Sequence, residues 1–213
     1  MPVFSDEFLR RFADELTYFR SLGLHTTKPN SMNDGGVLMR EMGMDAFFDG
    51  LLADVLTPTA HRLHLLPPDA TLDSHKTFTV VYQHPMGDVD LAPHFDNAEV
   101  TLNVNIAGEF TGGDLTFLGP DEALVPVGPS EREGDRRAVT VAQRPGIGVV
   151  HSGYERHQAQ KIRSGWRVNL VVWGRSSAVR NDRCPMCLAS PPRVYRVWGR
   201  RGGLHCVWRG GQQ

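Results

Sequence analysis

The chain has 213 residues, of which 40% are hydrophobic and 22% are charged, and a formal net charge of −1, values that are ordinary for a soluble globular protein. Its first residues lack a basic segment followed by an apolar core, and no uncharged apolar run approaches the length needed to span a membrane. We therefore expect no signal peptide, no membrane partner and an intracellular, cytoplasmic location.

The distribution of cysteine and charge narrows the class of protein further. Cys184, Cys187 and Cys206 are too few for a disulfide framework, which favours a reducing compartment. From Arg175 onward the chain carries eight arginines and one acid, about +7, which leaves about −8 for the remainder. Such a body is poorly suited to nucleic acid, so we expect no nucleic-acid partner, although the basic tail could contact an acidic one.

Two helices are predicted in the amino-terminal part of the chain. The first covers residues 5–22, between Ser5 as a candidate N-cap and Gly23 as a stop. Its apolar residues recur at helical spacing: Phe8, Leu9, Phe12, Leu16 and Phe19. The second is predicted over residues 44–55 and is interrupted at residues 57–58 by threonine and proline, with a short continuation through residues 61–66 left open. Its predicted buried face comprises Phe47, Leu51, Leu52 and Val55.

After Pro68, short segments rich in valine, threonine, isoleucine and phenylalanine alternate with glycine and proline turns, which is typical of strands. The predicted strands are 77–82, 99–106, 114–118, 137–142, 148–151, 157–162 and 166–173. Because no helix is predicted between them, they indicate an antiparallel sandwich or barrel. Gly112 and Gly113 can adopt positive φ without a steric penalty, so residues 110–115 are predicted to form a hairpin turn.

A metal site is indicated by His94 and Asp96. Residues two apart in an extended strand point to the same side, so this pair would aim an imidazole and a carboxylate at one point. One more imidazole would complete a facial triad of two histidines and one carboxylate, the ligand set of non-haem Fe(II) oxygenases. The pair alone is a weak signal, since a surface loop with two polar residues has the same pattern.

The third ligand is expected on a late strand, and His157 is the favoured candidate. Ser164 and Gly165 are predicted to form a hairpin turn, which would bring His157 and Arg167 into one cavity from neighbouring strands. The last strand has one apolar face, formed by Trp166, Val168, Leu170 and Val172. Arg167 lies on the other face with Asn169, where its planar fork would suit a carboxylate; a solvent-facing arginine on an edge strand is the alternative.

His151 is the rival third ligand, because it also ends a predicted strand. It lies sixteen residues before Arg167, whereas His157 lies ten residues before it. The longer separation suits a ligand on the adjoining strand poorly, so we expect His151 to lie near the cavity mouth.

Several phrases of the sequence occur together in one family: KPNSMN at 28–33, LDSH at 72–75, DNAEVTLNV at 96–104, WRVNLVVW at 166–173 and CPMC at 184–187. With the order of Tyr82, His94, Asp96, His157 and Arg167, they make the chain resemble the prolyl 4-hydroxylase-type 2-oxoglutarate/Fe(II) dioxygenases. The closer resemblance is to the 2-oxoglutarate and iron-dependent oxygenase domain-containing proteins. It runs from about residue 4 to residue 187.

This resemblance implies a mainly β fold, a double-stranded β-helix of jelly-roll type with the amino-terminal helices packed on its larger sheet. It implies three regions: a helical support over 1–70, the dioxygenase domain over 71–178 and a Cys/Arg/Gly-rich extension over 179–213. His94, Asp96 and His157 match the Fe(II) ligands, and Arg167 matches the residue that holds the distal carboxylate of 2-oxoglutarate.

The activity implied by the resemblance is an oxidoreductase with O2 and 2-oxoglutarate as cosubstrates and succinate and CO2 as co-products. The hydroxylated C–H bond would belong to a prolyl or lysyl side chain of a protein or to another substrate, and ascorbate could keep the iron reduced. Tyr82 matches a cosubstrate-binding tyrosine, although a strand aromatic filling the core is an equal alternative. Asn105 is assigned to the pocket, with a water-facing position as the alternative.

Three further interpretations stay open. Cys184, Cys187, His205 and Cys206 offer four zinc ligands, but a second Cys-x-x-Cys is missing. A catalytically silent jelly roll that binds a partner would have no need for the triad and Arg167 together. A cupin-like metalloenzyme that does not use 2-oxoglutarate would leave Arg167 without an evident role.

Overall fold

The computed structural model of the chain describes residues 1–118 and 138–182. Within these residues there are eight strands: β1 Ser74–Gln83, β2 Leu91–His94, β3 Val100–Gly112, β4 Leu115–Phe117, β5 Val139–Val141, β6 Gly148–Ser152, β7 His157–Ala159 and β8 Ile162–Arg175. They form two antiparallel sheets of four strands, in the orders β1-β8-β3-β6 and β2-β7-β4-β5. The predicted jelly roll is therefore confirmed.

The first helix, α1, spans Asp6–Ser21, close to its predicted bounds. Its N-cap is Ser5, whose hydroxyl accepts a hydrogen bond from the backbone N–H of Phe8. Gly23, just past the end, has a positive φ of 61°, as expected of a residue that ends a helix. The buried residues are Leu9, Phe12 and Leu16.

A longer helical segment stands in place of the second predicted helix. After a short 3-10 helix at Met39–Met42, α2 spans Asp45–Leu51, one turn of π-helix spans Leu52–Leu56, and α3 spans Thr57–Arg62. The predicted interruption at residues 57–58 is wrong. Proline at 58 lies in the first turn of α3, where its missing N–H is tolerated.

The buried face of this segment also differs from the prediction. Phe47 and Val55 are 42% and 39% exposed, whereas the buried residues are Phe48, Leu52, Leu56 and Ala60. These four recur at every fourth residue, a longer spacing than the 3.6 residues of an α-helical turn. The wider π-turn between α2 and α3 keeps them on one face.

The helices pack on the outer face of the sheet that contains the long strands β1, β3 and β8, as predicted. The core on that face joins α1 and the α2–α3 segment to β3 and β8, with Leu9, Phe12, Phe48, Leu52, Leu102, Val104, Leu170 and Val172 among its members. A second core lies between the two sheets and includes Phe78, Val80, Tyr82, Leu115, Phe117 and Ala159. The functional side chains share this inner space.

Two predicted hairpin turns are wrong. Gly112 and Gly113 do have positive φ values of 74° and 75°, but they connect β3 of one sheet to β4 of the other. Ser164 and Gly165 lie inside β8, which runs unbroken from Ile162 to Arg175. Glycine is needed at 165 for close packing, because a Cβ there would lie 1.8 Å from the carbonyl oxygen of Glu109 on β3.

The carboxyl-terminal part of the described chain is helix α4, Ser177–Asp182, which crosses the predicted boundary at residue 178. The division into 1–70, 71–178 and 179–213 stays a prediction. Cys184, Cys187, His205 and Cys206 lie outside the described residues. Over residues 1–118 and 138–182, no helix is long and apolar enough to cross a membrane.

Candidate active site

Two histidines and one aspartate meet where β2 pairs with β7. His94 is the last residue of β2, His157 is the first residue of β7, and the two are direct cross-strand partners with ring centroids 4.4 Å apart. Asp96 lies two residues beyond the end of β2, in a loop rather than on the predicted strand. Its backbone N–H donates to the carbonyl oxygen of Gly153 at 3.0 Å, which fixes the loop.

The ligand atoms of these three side chains face one another. His94 Nε2 lies 3.6 Å from Asp96 Oδ1, and His157 Nε2 lies 3.7 Å from Asp96 Oδ2. One ligand atom from each residue lies within 4.8 Å of the other two, a separation that a single cation can bridge. Asp96 and His157 are 3% exposed, so the centre is shielded from bulk water.

The tautomers of the two histidines suit metal binding. His94 Nδ1 lies 2.8 Å from the carbonyl oxygen of Ala92, and His157 Nδ1 lies 2.9 Å from that of Glu155. A carbonyl oxygen can only accept, so each Nδ1 carries the proton and donates it. In the neutral ring the Nε2 lone pair is then free to bind a metal, the usual arrangement of a ligating histidine.

Burial and the neighbouring charges shift the pKa values of the three side chains at this centre. Burial opposes ionisation of Asp96, but the neighbouring His94, then His157 and His151, outweigh burial and lower the pKa of Asp96 to about 2. Burial lowers the pKa of His157 to about 4, so that its ring is neutral at physiological pH. Burial also opposes charge on His94, but the Asp96 carboxylate outweighs it and raises the pKa of His94. Two imidazoles and one carboxylate with these properties fit Fe(II).

The position of the aspartate is set by a residue that the sequence did not single out. Thr101, buried on β3, donates its hydroxyl to Asp96 Oδ2 at 2.6 Å. This contact orients the carboxylate and occupies one lone pair of Oδ2. Outer hydrogen bonds of this kind tune metal ligands, and sequence patterns that search for ligand types cannot find them.

His151 is close to this centre but outside it. It lies on β6 opposite Thr101, with Nε2 3.8 Å from Asp96 Oδ2. Its Nε2 is buried without a hydrogen-bond partner among the described residues, and its ring does not line the cavity beside the triad. The three ligand atoms that converge within 4.8 Å are those of His94, Asp96 and His157. This geometry favours His157 over His151 as the third ligand, an assignment that stays a prediction.

A cavity of about 540 Å³ opens beside the triad, between the two sheets. Arg167 on β8 lines it and is 1% exposed, so its predicted inward orientation is confirmed. The Arg167 Nη1 donates to the carbonyl oxygen of Gly113, while its Nε has no partner among the described residues. A Cβ at position 113 would lie 2.8 Å from Nη1, so glycine there lets the backbone approach the guanidinium. A buried guanidinium with unused donors suits a carboxylate.

Tyr82 lies across from Arg167 in the same cavity, and its ring centroid is 4.5 Å from the guanidinium carbon. Burial raises the pKa of Tyr82 to about 12, so the phenol stays protonated and can donate a hydrogen bond. Burial likewise lowers the pKa of Arg167. Tyr82 lines the cavity and also contributes to the core between the sheets, as expected of a strand aromatic; its role in cosubstrate binding stays a prediction.

Asn105 is buried beside the cavity but is not part of its lining. Its Nδ2 donates to Oδ1 of Asn169 at 3.1 Å, and the Nδ2 of Asn169 donates to Oδ1 of Asn103 at 2.7 Å. Asn103 and Asn169 do line the cavity. Asn105 therefore contacts the lining through Asn169, and a direct cosubstrate-binding role for it stays a prediction.

Other parts of the lining were not among the predicted site residues. They include Asn30, Ser31, Met32 and Asn33 of an amino-terminal loop, and Lys76, Phe78 and Trp173 on β1 and β8. Lys76, Phe78 and Tyr82 share the parity of one strand face, a signal that becomes visible once β1 is extended to Ser74.

The chain is similar to proteins of one named family. A family model described as the OGFOD2-like domain matches residues 1–65. The 2-oxoglutarate and iron-dependent oxygenase domain-containing protein 2 of Xenopus tropicalis is 42% identical over 211 residues, covering 97% of this chain and 57% of that protein. The human protein of the same name is 40% identical over 202 residues, covering 91% and 53%.

Over nearly its whole length this chain is similar to the 2-oxoglutarate and iron-dependent oxygenase domain-containing proteins. It spans about half the length of the curated relatives that it matches. Solved structures show the same fold. The alpha ketoglutarate dependent epimerase SnoN aligns with a TM-score of 0.55 at 18% identity, covering 95% of this chain and 91% of SnoN. A Pseudomonas putida prolyl-4-hydroxylase aligns with a TM-score of 0.50 at 16% identity, covering 82% and 89%.

Proposed function

We propose that this oxygenase domain is an Fe(II)- and 2-oxoglutarate-dependent dioxygenase that hydroxylates a C–H bond of a prolyl or lysyl side chain, or of another substrate. The observation that carries the proposal is one cavity that holds both the His94, Asp96 and His157 centre and the buried guanidinium of Arg167. Its products would be succinate, CO2 and the hydroxylated substrate.

In this proposal His94, Asp96 and His157 would hold the iron at the wall of the cavity. The bound iron supplies O2 activation and the oxidative decarboxylation of 2-oxoglutarate, with ascorbate keeping it reduced. Arg167 binds the distal carboxylate of 2-oxoglutarate, its Nε being a donor without a partner among the described residues, and the Tyr82 ring lies beside the guanidinium. The protein contributes ligand geometry, orientation of the cosubstrate and exclusion of water.

The rival interpretations are weakened by the position of Arg167. A structural arginine this deeply buried is normally saturated with hydrogen bonds, but its Nε has no partner among the described residues. A silent binding scaffold or a cupin-like enzyme without 2-oxoglutarate would keep an unsatisfied cation in its cavity with no ligand for it. A dicarboxylate cosubstrate accounts for both the cation and the metal ligands.

Anaerobic titration tests the proposal. Addition of Fe(II) and 2-oxoglutarate to the protein should give the weak visible charge-transfer band of the chelate, and admission of air should give succinate. The band should be lost in Asp96→Ala and strongly weakened in Arg167→Ala.

Matched controls separate these effects from general damage. Asp90→Ala removes an exposed carboxylate four residues before His94, and Arg163→Ala removes an exposed guanidinium from the same strand as Arg167. Both should keep the band. No band and no succinate from the wild-type protein would contradict the proposed function.

A further inference from the structure

The cavity wall has a cation at each end. On β1 the side chains of Lys76, Phe78, Val80 and Tyr82 line the cavity, and on β8 those of Arg167, Asn169, Val171 and Trp173 do so. The two strands are paired so that Tyr82 lies opposite Arg167 and Lys76 lies opposite Trp173. The wall is therefore a ladder of four side-chain pairs with Arg167 at one end and Lys76 at the other.

The two cations are too far apart to serve one molecule of 2-oxoglutarate. Lys76 and Tyr82 are six residues apart on one strand, which corresponds to about 20 Å at ~3.3 Å per residue. A five-carbon dicarboxylate is much shorter than that distance. If Arg167 binds the cosubstrate, Lys76 lies in the part of the cavity that remains for the substrate.

The ammonium of Lys76 has no ion pair or hydrogen bond within the described residues, although the side chain is half-buried. Its Nζ lies 5.7 Å from the ring centroid of Phe78 and 5.7 Å from that of Trp173. These two rings hold the charge at the wall by cation–π attraction but do not neutralise it.

The charged groups that act on Lys76 are themselves cations. Burial lowers the pKa of Lys76, and the guanidinium groups of Arg175 and Arg40 lower it further. Arg175 is itself held in place, because its Nε donates to the carbonyl oxygen of Asn97, another residue of the lining, at 3.0 Å. The Glu99 carboxylate acts on Arg175, but the charged groups that act on Lys76 are the two guanidinium groups, so the Lys76 ammonium has no acidic partner among the described residues.

An unpaired, half-buried lysine repelled by two arginines costs folding free energy, and lysine is seldom retained in such a place without a partner. We propose that Lys76 binds an anionic group of the substrate, a carboxylate or a phosphate, at the end of the cavity remote from Arg167. The inference rests on the proposed function, since it assigns Arg167 to the cosubstrate. It defines the substrate class as one with a negative charge at a distance from the C–H bond that is oxidised.

The test measures binding with Mn(II) in place of Fe(II), so that turnover is not required. The probes are three peptides of equal length with proline and lysine at the centre, flanked by glutamate, by phosphoserine or by glutamine, in the presence of 2-oxoglutarate. Wild-type protein should bind at least one of the two anionic peptides about tenfold or more tightly than the glutamine peptide, and the preference should fall with added salt. Comparison of glutamate with phosphoserine identifies which anion the site takes.

Variants test whether Lys76 causes the preference for anionic peptides. Lys76→Gln should abolish it, Lys76→Arg should retain it, and Lys161→Gln, which removes an exposed lysine outside the cavity, should leave it unchanged. Thermal unfolding of Lys76→Met supplies a second measurement. If Lys76 serves ligand binding, this variant should be at least as stable as the wild type, whereas a structural lysine would leave it less stable.

Two results would overturn the inference: a wild-type protein with no preference for either anionic peptide, including no binding of any peptide, or an undiminished preference in Lys76→Gln. Failure of the proposed function has a different readout, the absence of succinate and of the charge-transfer band. A charge preference without succinate would reject the dioxygenase, and succinate without a charge preference would reject the role of Lys76.

Discussion

Tyr82 and Arg167 are direct partners across β1 and β8, and the tyrosine ring lies 4.5 Å from the guanidinium carbon. The ring covers one side of a cation that already donates to the carbonyl oxygen of Gly113. This arrangement fixes the plane of the guanidinium before any ligand arrives. A preorganised fork binds a carboxylate with a smaller loss of side-chain entropy than a mobile one.

Arg167→Ala should raise the KM for 2-oxoglutarate by about 30-fold or more, since loss of a buried charged contact costs on the order of 2–5 kcal/mol. Tyr82→Phe, which removes only the hydroxyl, should raise it less than about tenfold. Succinate formation at varied 2-oxoglutarate measures both effects, with Arg163→Ala as the control. An unchanged KM in Arg167→Ala would assign the cosubstrate carboxylate to another residue.

The two candidate third ligands can be separated by metal content. Because His157 Nε2 belongs to the converging set and His151 Nε2 does not, His157→Ala should lose bound Fe(II) while His151→Ala keeps most of it. Anaerobic equilibrium dialysis with metal analysis gives the answer. Retention of iron in His157→Ala together with its loss in His151→Ala would reverse the assignment.

Thr101→Val should weaken metal binding about 10- to 100-fold, because it removes the hydroxyl that orients Asp96 while nearly preserving the side-chain volume. The control is Thr116→Val, a buried threonine on β4 whose hydroxyl contacts Gln160 and Thr140 instead. Dialysis against Mn(II) measures both variants. Equal affinity in wild type and Thr101→Val would show that the hydroxyl does not act on the ligand.

A buried ion pair between Arg180 and Glu99 holds α4 against the sheet that contains β3. Arg180 Nε lies 2.9 Å from Glu99 Oε2, both side chains are at most 3% exposed, and the backbone N–H of Ser176 donates to the same oxygen at 2.7 Å. Arg180→Met should lower the free energy of unfolding by about 3–5 kcal/mol, since Glu99 keeps a buried charge without its partner. Burial already raises the pKa of Glu99, which marks the cost of that charge.

Urea unfolding of a double-mutant cycle checks this pair. The double variant Glu99→Gln, Arg180→Met should lose much less free energy of unfolding than the two single variants together, because neither buried charge then remains. Arg163→Met, which removes an exposed guanidinium from β8, is a comparison for general loss of a guanidinium. Additive single and double changes would mean that the two residues do not stabilise the fold as a pair.

The free energy of unfolding is expected to depend on pH through His75. Burial lowers its pKa, although Asp49, with Oδ1 3.5 Å from Nε2, acts in the opposite direction. The folded state therefore holds the proton less tightly than the unfolded chain, and the stabilisation is complete above the unfolded pKa of about 6.5 and declines as the pH falls below it. The stability difference between wild type and His75→Gln should be larger at pH 7.5 than at pH 5, by urea unfolding at each pH. A difference that grows on acidification would contradict the sign.

The sequence was sufficient for features that depend on local periodicity. The alternation of Trp166, Val168, Leu170 and Val172 placed Arg167 inside the barrel, and the His-x-Asp pair was correctly expected to bring its two side chains together, although Asp96 lies in a loop and not on the strand. Both follow from geometry over a few residues. The functional roles of these residues were inferred from the sequence phrases shared with the family, because alternation alone says nothing about function.

Features that depend on distant partners could not be predicted in this way. Gly165 was expected to mark a turn. In the structure it has a positive φ and lets β3 approach β8 closely, and this contact depends on a strand more than fifty residues away. Asn103 and Asn105 have the same parity and both hydrogen-bond to Asn169 of the neighbouring strand, but only Asn103 lines the cavity, a difference that parity does not predict. The wider π-turn after α2 similarly shifts burial from Phe47 to Phe48.

The in-register pairing of β1 with β8 also limits how the residues that line this cavity can change during evolution. A strand alternates its faces at every residue, so inserting or deleting one residue in either strand would turn the cavity-lining side chains beyond that point toward the helices, and apolar core residues into the cavity. New substrate preferences in this lineage are therefore expected to arise by exchange of single side chains such as Lys76 or Trp173, and by length changes confined to the loops. Among homologues, substitutions should concentrate at the ladder positions other than Tyr82 and Arg167, and gaps should avoid the whole ladder.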